Sequence, residues 1–128
     1  MQTWYTLIMK KILIVEDDAF LQGLSAKKLS KEGYSIITAS DTPEGLKALE
    51  ENPDIVLLDL VLPGGDGYMI LAALRAKESM KDTPVIIFSN LAEDKDIKKA
   101  RDLGATDFMI KSNFTLDELA EKVKELIG

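Results

Sequence analysis

The chain has 128 residues, which is the length of one domain with a core of its own. It contains neither Cys nor His, so disulfides, thiolate or imidazole metal ligands and a phosphohistidine within this chain are excluded. Its 16 basic and 22 acidic residues give a net charge of −6, which makes nucleic acid a poor expected partner, and no apolar run is long enough for a membrane helix.

Residues 1–8 differ in pattern from the rest of the chain. They include Trp4, Tyr5, Leu7 and Ile8 but no Lys or Arg. They predict either an added strand or docking arm, or extra residues before a natural start at Met9, with residues 9–128 as the domain. Because a positively charged signal region is absent here, a cytoplasmic protein is expected.

Five short apolar runs alternate with five helical patterns along residues 9–128. The predicted strands are 12–15, 34–39, 55–58, 84–88 and 108–110. Gly33 and Gly104 end two of the predicted helices, and Thr115 with Glu118 forms a capping box at the start of the last helix. This alternation predicts an α/β fold with a parallel sheet covered by helices on both faces.

Polar side chains follow four of the five predicted strands, at the edge where parallel sheets bind ligands. These residues are Glu16-Asp17-Asp18, Asp59, Ser89-Asn90 and Lys111-Ser112. Neighbouring carboxylates repel one another, and a divalent cation with oxygen ligands relieves that repulsion. Carboxylates, a cation, a hydroxyl and a lysine around one point predict a cradle for a phosphoryl group.

Each of these residues also has an ordinary structural interpretation. Asp17 or Asp18 alone is more typical of a helix cap, Asp59 of a turn, and Lys111 of a solvated surface charge. The glycine-rich segment 62–67 lacks the Gly-Lys-Ser/Thr ending of a phosphate-binding loop and is interpreted as a turn. The phosphoryl hypothesis therefore depends on the joint pattern at one sheet edge.

From Met9 to Gly128 the chain resembles the receiver domain of two-component response regulators. The segments that carry the resemblance are Ile12–Asp18, Val56–Asp59, Leu62–Gly67, Ile87–Ser89, Gly104-Ala105 and Phe108–Lys111. The resemblance implies a (βα)5 flavodoxin-like fold with strand order 2-1-3-4-5. It implies a stand-alone signalling module similar to chemotaxis regulators, or part of a longer natural chain, rather than an enzyme with an external product.

The resemblance also implies a role for each site residue. Asp59 would be the phosphoacceptor, and Ser89 and Lys111 would contact the phosphoryl oxygens. The ligands implied for Mg²⁺ are Asp17, Asp18, Asp59 and the backbone carbonyl of Val61. Ser89 and Phe108 would form the switch. The implied partners are a sensor histidine kinase or phosphotransfer protein as donor, and a target protein on the face of the fourth helix, fifth strand and fifth helix.

Three residues depart from the family pattern. Ser112 replaces the usual Pro after the lysine, Asn90 replaces a small residue after the serine, and Phe108 lacks the hydroxyl of the more common Tyr. Two rival functions are a phosphorylation-independent interaction module of the same fold and a Mg²⁺-dependent phosphatase with an aspartate nucleophile. The phosphatase is disfavoured because Val61 stands where such enzymes carry an acid–base Asp.

Overall fold

A computed structural model describes residues 9–128, which form a five-stranded parallel sheet with five α-helices. The strands are β1 (Lys11–Val15), β2 (Ser35–Ala39), β3 (Ile55–Leu58), β4 (Val85–Ser89) and β5 (Asp107–Ile110). The helices are α1 (Ala19–Lys31), α2 (Thr42–Ala48), α3 (Gly67–Ala76), α4 (Asp94–Asp102) and α5 (Leu116–Ile127). A short antiparallel ribbon pairs Val61–Leu62 with Gly65–Asp66. Three 3₁₀ turns complete the regular structure, namely Leu49–Glu51, Glu78–Met80 and Lys111–Asn113.

The strand order is β2-β1-β3-β4-β5, which confirms the flavodoxin-like fold that the resemblance implied. All four strand pairs are parallel, and each predicted strand lies within a residue or two of an observed one. Residues 1–8, predicted as an arm or as extra residues, lie outside the described part of the chain. The domain boundary at Met9 therefore stays a prediction.

Alternate residues of each strand pack into two separate apolar layers, one on each face of the sheet. In β1, Leu13 and Val15 face one layer, whereas Ile12 and Ile14 face the other. The first layer includes buried side chains of α3 and α4, and the second includes side chains of α1 and α5. This burial on both faces explains why the central strands are continuous apolar runs in the sequence.

Local features end α4 and begin α5 where the sequence predicts. Gly104 follows α4 with a φ of +102°, and the capping box of Thr115 and Glu118 starts α5 as predicted. The second predicted helix is shorter than expected, because α2 ends at Ala48 and continues as a 3₁₀ turn up to the left-handed residue Asn52.

The parallel register brings the carboxyl ends of the strands to one edge. Val15 lies opposite Leu58, Leu58 opposite Ile87, and Ser89 opposite Ile110. The residues after β1, β3 and β5 and the last residue of β4 therefore meet at this edge. This is the edge at which the sequence analysis places the chemistry.

Candidate functional site

Asp59 follows β3 at the centre of this edge, and only 6% of its surface is exposed. Its N–H donates to the Val15 carbonyl at 3.1 Å, which extends the parallel pairing one residue beyond β3. The first residue of α3, Gly67, packs so closely that a Cβ there would stand 2.1 Å from the Asp59 carbonyl oxygen. The backbone of Asp59 is thus fixed between β1 and α3, which holds its carboxylate in one place.

Both carboxylate oxygens of Asp59 have hydrogen-bond donors. The Ser89 hydroxyl donates to Oδ1 at 2.7 Å, and the Val61 N–H donates to the same oxygen at 3.2 Å. The Lys111 ammonium donates to Oδ2 at 2.6 Å. The structure therefore brings together Asp59, Ser89 and Lys111 as the sequence analysis predicts.

Lys111 also contacts Glu16, whose carboxylate Oε1 lies 2.5 Å from the ammonium nitrogen. Burial disfavours the charged form of Lys111, but its hydrogen bonds to Asp59 and Glu16 outweigh burial and raise the pKa of Lys111. Lys111 is therefore a fixed positive charge at neutral pH.

The pKa of Glu16 is raised as well. Burial is the largest cause, and it exceeds the opposing effects of Lys111 and of the N–H of Asp18, which donates to Glu16 at 3.1 Å. Only 4% of Glu16 is exposed. Burial therefore disfavours the charged form of the Glu16 carboxylate, and a metal cation bound beside it would stabilise that form.

Three carboxylates converge at this edge, namely those of Glu16, Asp17 and Asp59. One oxygen of each lies within 4.8 Å of the others. Carboxylate oxygens gathered in this way are the side-chain ligands that would hold one Mg²⁺ ion. The donor set is all oxygen, which fits a hard divalent cation.

Asp18 was predicted as a metal ligand beside Asp17, and this role stays a prediction. Asp18 is the N-cap of α1, and its Oδ1 accepts the Leu21 N–H at 3.0 Å. Asp18 lines the same cleft without joining the three converging carboxylates, and Glu16 takes its place among them. No role is predicted for Glu16 from the sequence, although its position directly after β1 is a usable signal.

Val61 lies in the ribbon that follows Asp59, with 58% of its surface exposed, and it lines the cleft together with Leu91. Its N–H contacts Asp59, whereas the predicted role of its carbonyl as a metal ligand stays a prediction. Neither side chain has a polar group that could orient a water molecule.

The two departures from the family pattern beside the site contact each other. The Asn90 side-chain oxygen accepts the Ser112 N–H at 3.1 Å, which ties the loop after β4 to the loop after β5. All peptide bonds in residues 9–128 are trans, including the one between Lys111 and Ser112.

Phe108 is on β5, which β4 separates from β3 and Asp59, and it lies opposite Ile87 of β4. It is half-buried, packs against the first apolar layer, and lines a surface cavity with Ile97 and Ala100 of α4. The structure thus places Phe108 between the sheet and α4, and its predicted switch role stays a prediction.

The model of the response regulator receiver domain family matches residues 12–124. The chain belongs to this family of two-component signalling modules, which are not enzymes in the ordinary sense. Receiver domains bind Mg²⁺ at an acidic pocket and interact with histidine kinases and downstream effectors. No helix within residues 9–128 is long and apolar enough to cross a membrane.

Relatives and solved structures agree with this family. The chain is 37% identical over 119 residues to the alkaline phosphatase synthesis transcriptional regulatory protein PhoP of Bacillus subtilis, covering 92% of this chain and 48% of that protein. It is 36% identical to the probable transcriptional regulator ycf27 of Cyanophora paradoxa, with the same coverage. A CheY-like receiver domain protein of Methanospirillum hungatei superposes with a TM-score of 0.82 at 28% identity, covering 91% of this chain and 92% of that one. The chain therefore spans about half the length of these two curated relatives.

Proposed function

We propose that this domain accepts a phosphoryl group on Asp59 and thereby changes its affinity for a partner protein. The observation that carries this proposal is the arrangement around the Asp59 carboxylate. Ser89 and Lys111 hold its two oxygens, and Glu16 and Asp17 bring further carboxylate oxygens within 4.8 Å. An aspartate with only a structural role would not need hydrogen-bond donors on both oxygens and two further carboxylates beside it.

In the proposed reaction an Asp59 carboxylate oxygen forms a bond to phosphorus as the bond from phosphorus to the donor breaks. The donor is a phosphohistidine of a sensor kinase or phosphotransfer protein, or a small acyl phosphate, since this chain contains no His. Lys111 neutralises negative charge on the phosphoryl oxygens, and positioning with electrostatic stabilisation supplies most of the acceleration.

Glu16, Asp17 and Asp59 are the side chains that would hold Mg²⁺, with the predicted backbone carbonyl of Val61. When bound, the ion adds positive charge beside the transferred phosphoryl group. Asp18 is a weaker candidate than Glu16, because its carboxylate already caps α1.

The proposed switch starts at Ser89. The new phosphoryl group attracts the Ser89 hydroxyl away from its present partner, and this movement makes room for Phe108 to turn towards the sheet. These movements shift the population of the domain towards a second conformation of the surface formed by α4, β5 and α5, where the target protein binds. Direct contact of this domain with nucleic acid is not proposed, given its net charge of −6, and a cytoplasmic location stays a prediction.

Incubation with acetyl phosphate and Mg²⁺, followed by intact-mass measurement, tests the proposal. The parent should gain the mass of one phosphoryl group, and Asp59→Asn should gain none because it lacks the nucleophilic carboxylate. Asp102→Asn is the matched control, since Asp102 lies on the surface of α4 and pairs with Lys98. It should be phosphorylated like the parent. A folded parent without a mass shift, or a persistent shift in Asp59→Asn, would contradict the assignment and favour a phosphorylation-independent interaction module.

A further inference from the structure

We propose that Asn90 is a positioning residue that keeps Lys111 on Asp59 by holding the backbone of Ser112. This inference rests on the proposed phosphoryl-accepting function and adds a residue to it. Within residues 9–128, Asn90 makes no hydrogen bond to the carboxylate of Asp59 or of Glu16. Its effect would therefore pass through the loop that carries Lys111.

The hydrogen bond from Ser112 to Asn90 lies just beyond the end of the sheet. The last paired residues of β4 and β5 are Ser89 and Ile110. Beyond this pair the strand pairing ends, and the Asn90 side-chain oxygen accepts the Ser112 N–H at 3.1 Å. The side chain thereby extends the link between the two strands to the residue that follows Lys111.

The loop after β5 begins with a short 3₁₀ turn over Lys111–Asn113. Ser112, Asn113 and Phe114 are exposed, and within the loop the Phe114 N–H reaches the Lys111 carbonyl only at 3.5 Å. The lysine side chain is long and has many rotamers, so a fixed backbone helps to keep its ammonium on Asp59. Among residues 9–128, Asn90 supplies the hydrogen bond to Ser112 from outside this loop.

The same segment of chain reaches both oxygens of Asp59. Ser89 donates directly to Oδ1, and the next residue, Asn90, acts on Oδ2 through Ser112 and Lys111. A movement of Ser89 would therefore pull on the loop that carries Lys111. The hydroxyl and the ammonium would respond together when Asp59 changes its charge.

Amide hydrogen exchange measured by NMR tests the hydrogen bond itself. The Ser112 N–H should exchange slowly in the parent and at least several times faster in Asn90→Ala. Asn90→Asp keeps the acceptor oxygen and should restore slow exchange. Asn113→Ala is the matched control, because Asn113 is an exposed neighbour in the same loop, and it should leave Ser112 protected. Equal exchange in the parent and Asn90→Ala would overturn the proposal.

The NMR signal of the Lys111 ammonium tests the positioning without any phosphorylation. Its protons, held by Asp59 and Glu16, should give a signal in the parent that is lost through fast exchange in Asn90→Ala. An unchanged signal would contradict a positioning role. If the parent is not phosphorylated, the proposed function is refuted. The Lys111 signal would still decide whether Asn90 positions the lysine.

Phosphorylation kinetics then test whether Asn90 acts through Lys111. Asn90→Ala should lower the rate at saturating acetyl phosphate about threefold to tenfold, which is the effect of one modest hydrogen bond. The concentration for half-maximal rate should change less. In a Lys111→Ala background the same substitution should have no further effect. A full effect of Asn90→Ala without Lys111 would show that Asn90 acts elsewhere and would overturn the proposal.

Discussion

Replacing Asp17 by Asn should make the protein more stable without Mg²⁺ and less stable than the parent with it. Asp17 is exposed and belongs to the three converging carboxylates, so it repels Glu16 and Asp59 when no cation is bound. The Asn side chain has nearly the same shape but no charge. Asp18→Asn is the matched control, since Asn caps a helix as well as Asp does and Asp18 lies outside the cluster.

The size of the effect follows from the spacing of the carboxylates. Two unit charges 4.8 Å apart repel by about 0.9 kcal/mol in bulk water and about 3.5 kcal/mol at an effective dielectric constant of 20. Because Asp17 is exposed, the lower figure applies to each repulsion, and the positive charge of Lys111 in the same cleft reduces their sum. A net gain of about 1 kcal/mol should raise the Tm by about 3–6 °C for a domain of this size.

Thermal unfolding in EDTA and in saturating Mg²⁺ measures both effects. A ligand at 100 times its Kd stabilises a protein by about 2.7 kcal/mol, so the parent should gain stability that Asp17→Asn largely lacks. Asp18→Asn should behave like the parent in both buffers. The reasoning would be refuted if Asp17→Asn melted below the parent in EDTA, or if Asp18→Asn lost the Mg²⁺ response while Asp17→Asn kept it.

Three further predictions concern the site and the start of the chain. Burial raises the pKa of Glu16 above 4.5 in the folded protein, so without metal this group stabilises the folded state most below pH 4.5. The contribution is lost as the pH rises through the folded pKa of Glu16. Glu16→Gln should therefore flatten this part of the pH dependence when the free energy of unfolding is measured over a pH series. The phosphorylated form should be long-lived because Val61 and Leu91 cannot orient water, so Val61→Asn with Leu91→Glu should shorten its half-life by about tenfold in excess Mg²⁺, as followed by intact mass. Deleting residues 1–8, which carry no charged side chain, should leave the phosphorylation rate unchanged, and a large loss of rate or of folding would contradict this.

The fold could be predicted from the sequence because each strand carries its own signal. Burial on both faces makes the central strands continuous apolar runs, and glycine, proline and capping residues separate them from the helices. Asp59, Ser89 and Lys111 could be placed for the same reason, since each stands at the end of such a run. The strand order came from the resemblance, because apolar runs alone do not state which strands are neighbours.

The acids after β1 show where this reasoning fails. Glu16, Asp17 and Asp18 are consecutive, and one residue must leave the cluster to start α1. Capping preferences predict that an Asp takes this role but do not say which one. The structure decides by geometry, because Asp18 stands three residues before Leu21, whose N–H it accepts, and Glu16 remains beside Lys111. The acids that converge with Asp59 are therefore Glu16 and Asp17, one residue earlier in the chain than the predicted pair Asp17 and Asp18.

Asn90 and Ser112 show a second limit, which concerns pairs of residues. Taken separately, each is a departure from the family pattern in its own loop. They stand 22 residues apart, so no local pattern in the chain indicates that they meet. The Ser112 N–H needs an acceptor, and Asn90 supplies one. Proline at position 112 would remove the donor and leave the Asn90 oxygen without this partner. The two positions are therefore best interpreted together, because Asn90→Ala and Ser112→Pro would each remove the same hydrogen bond.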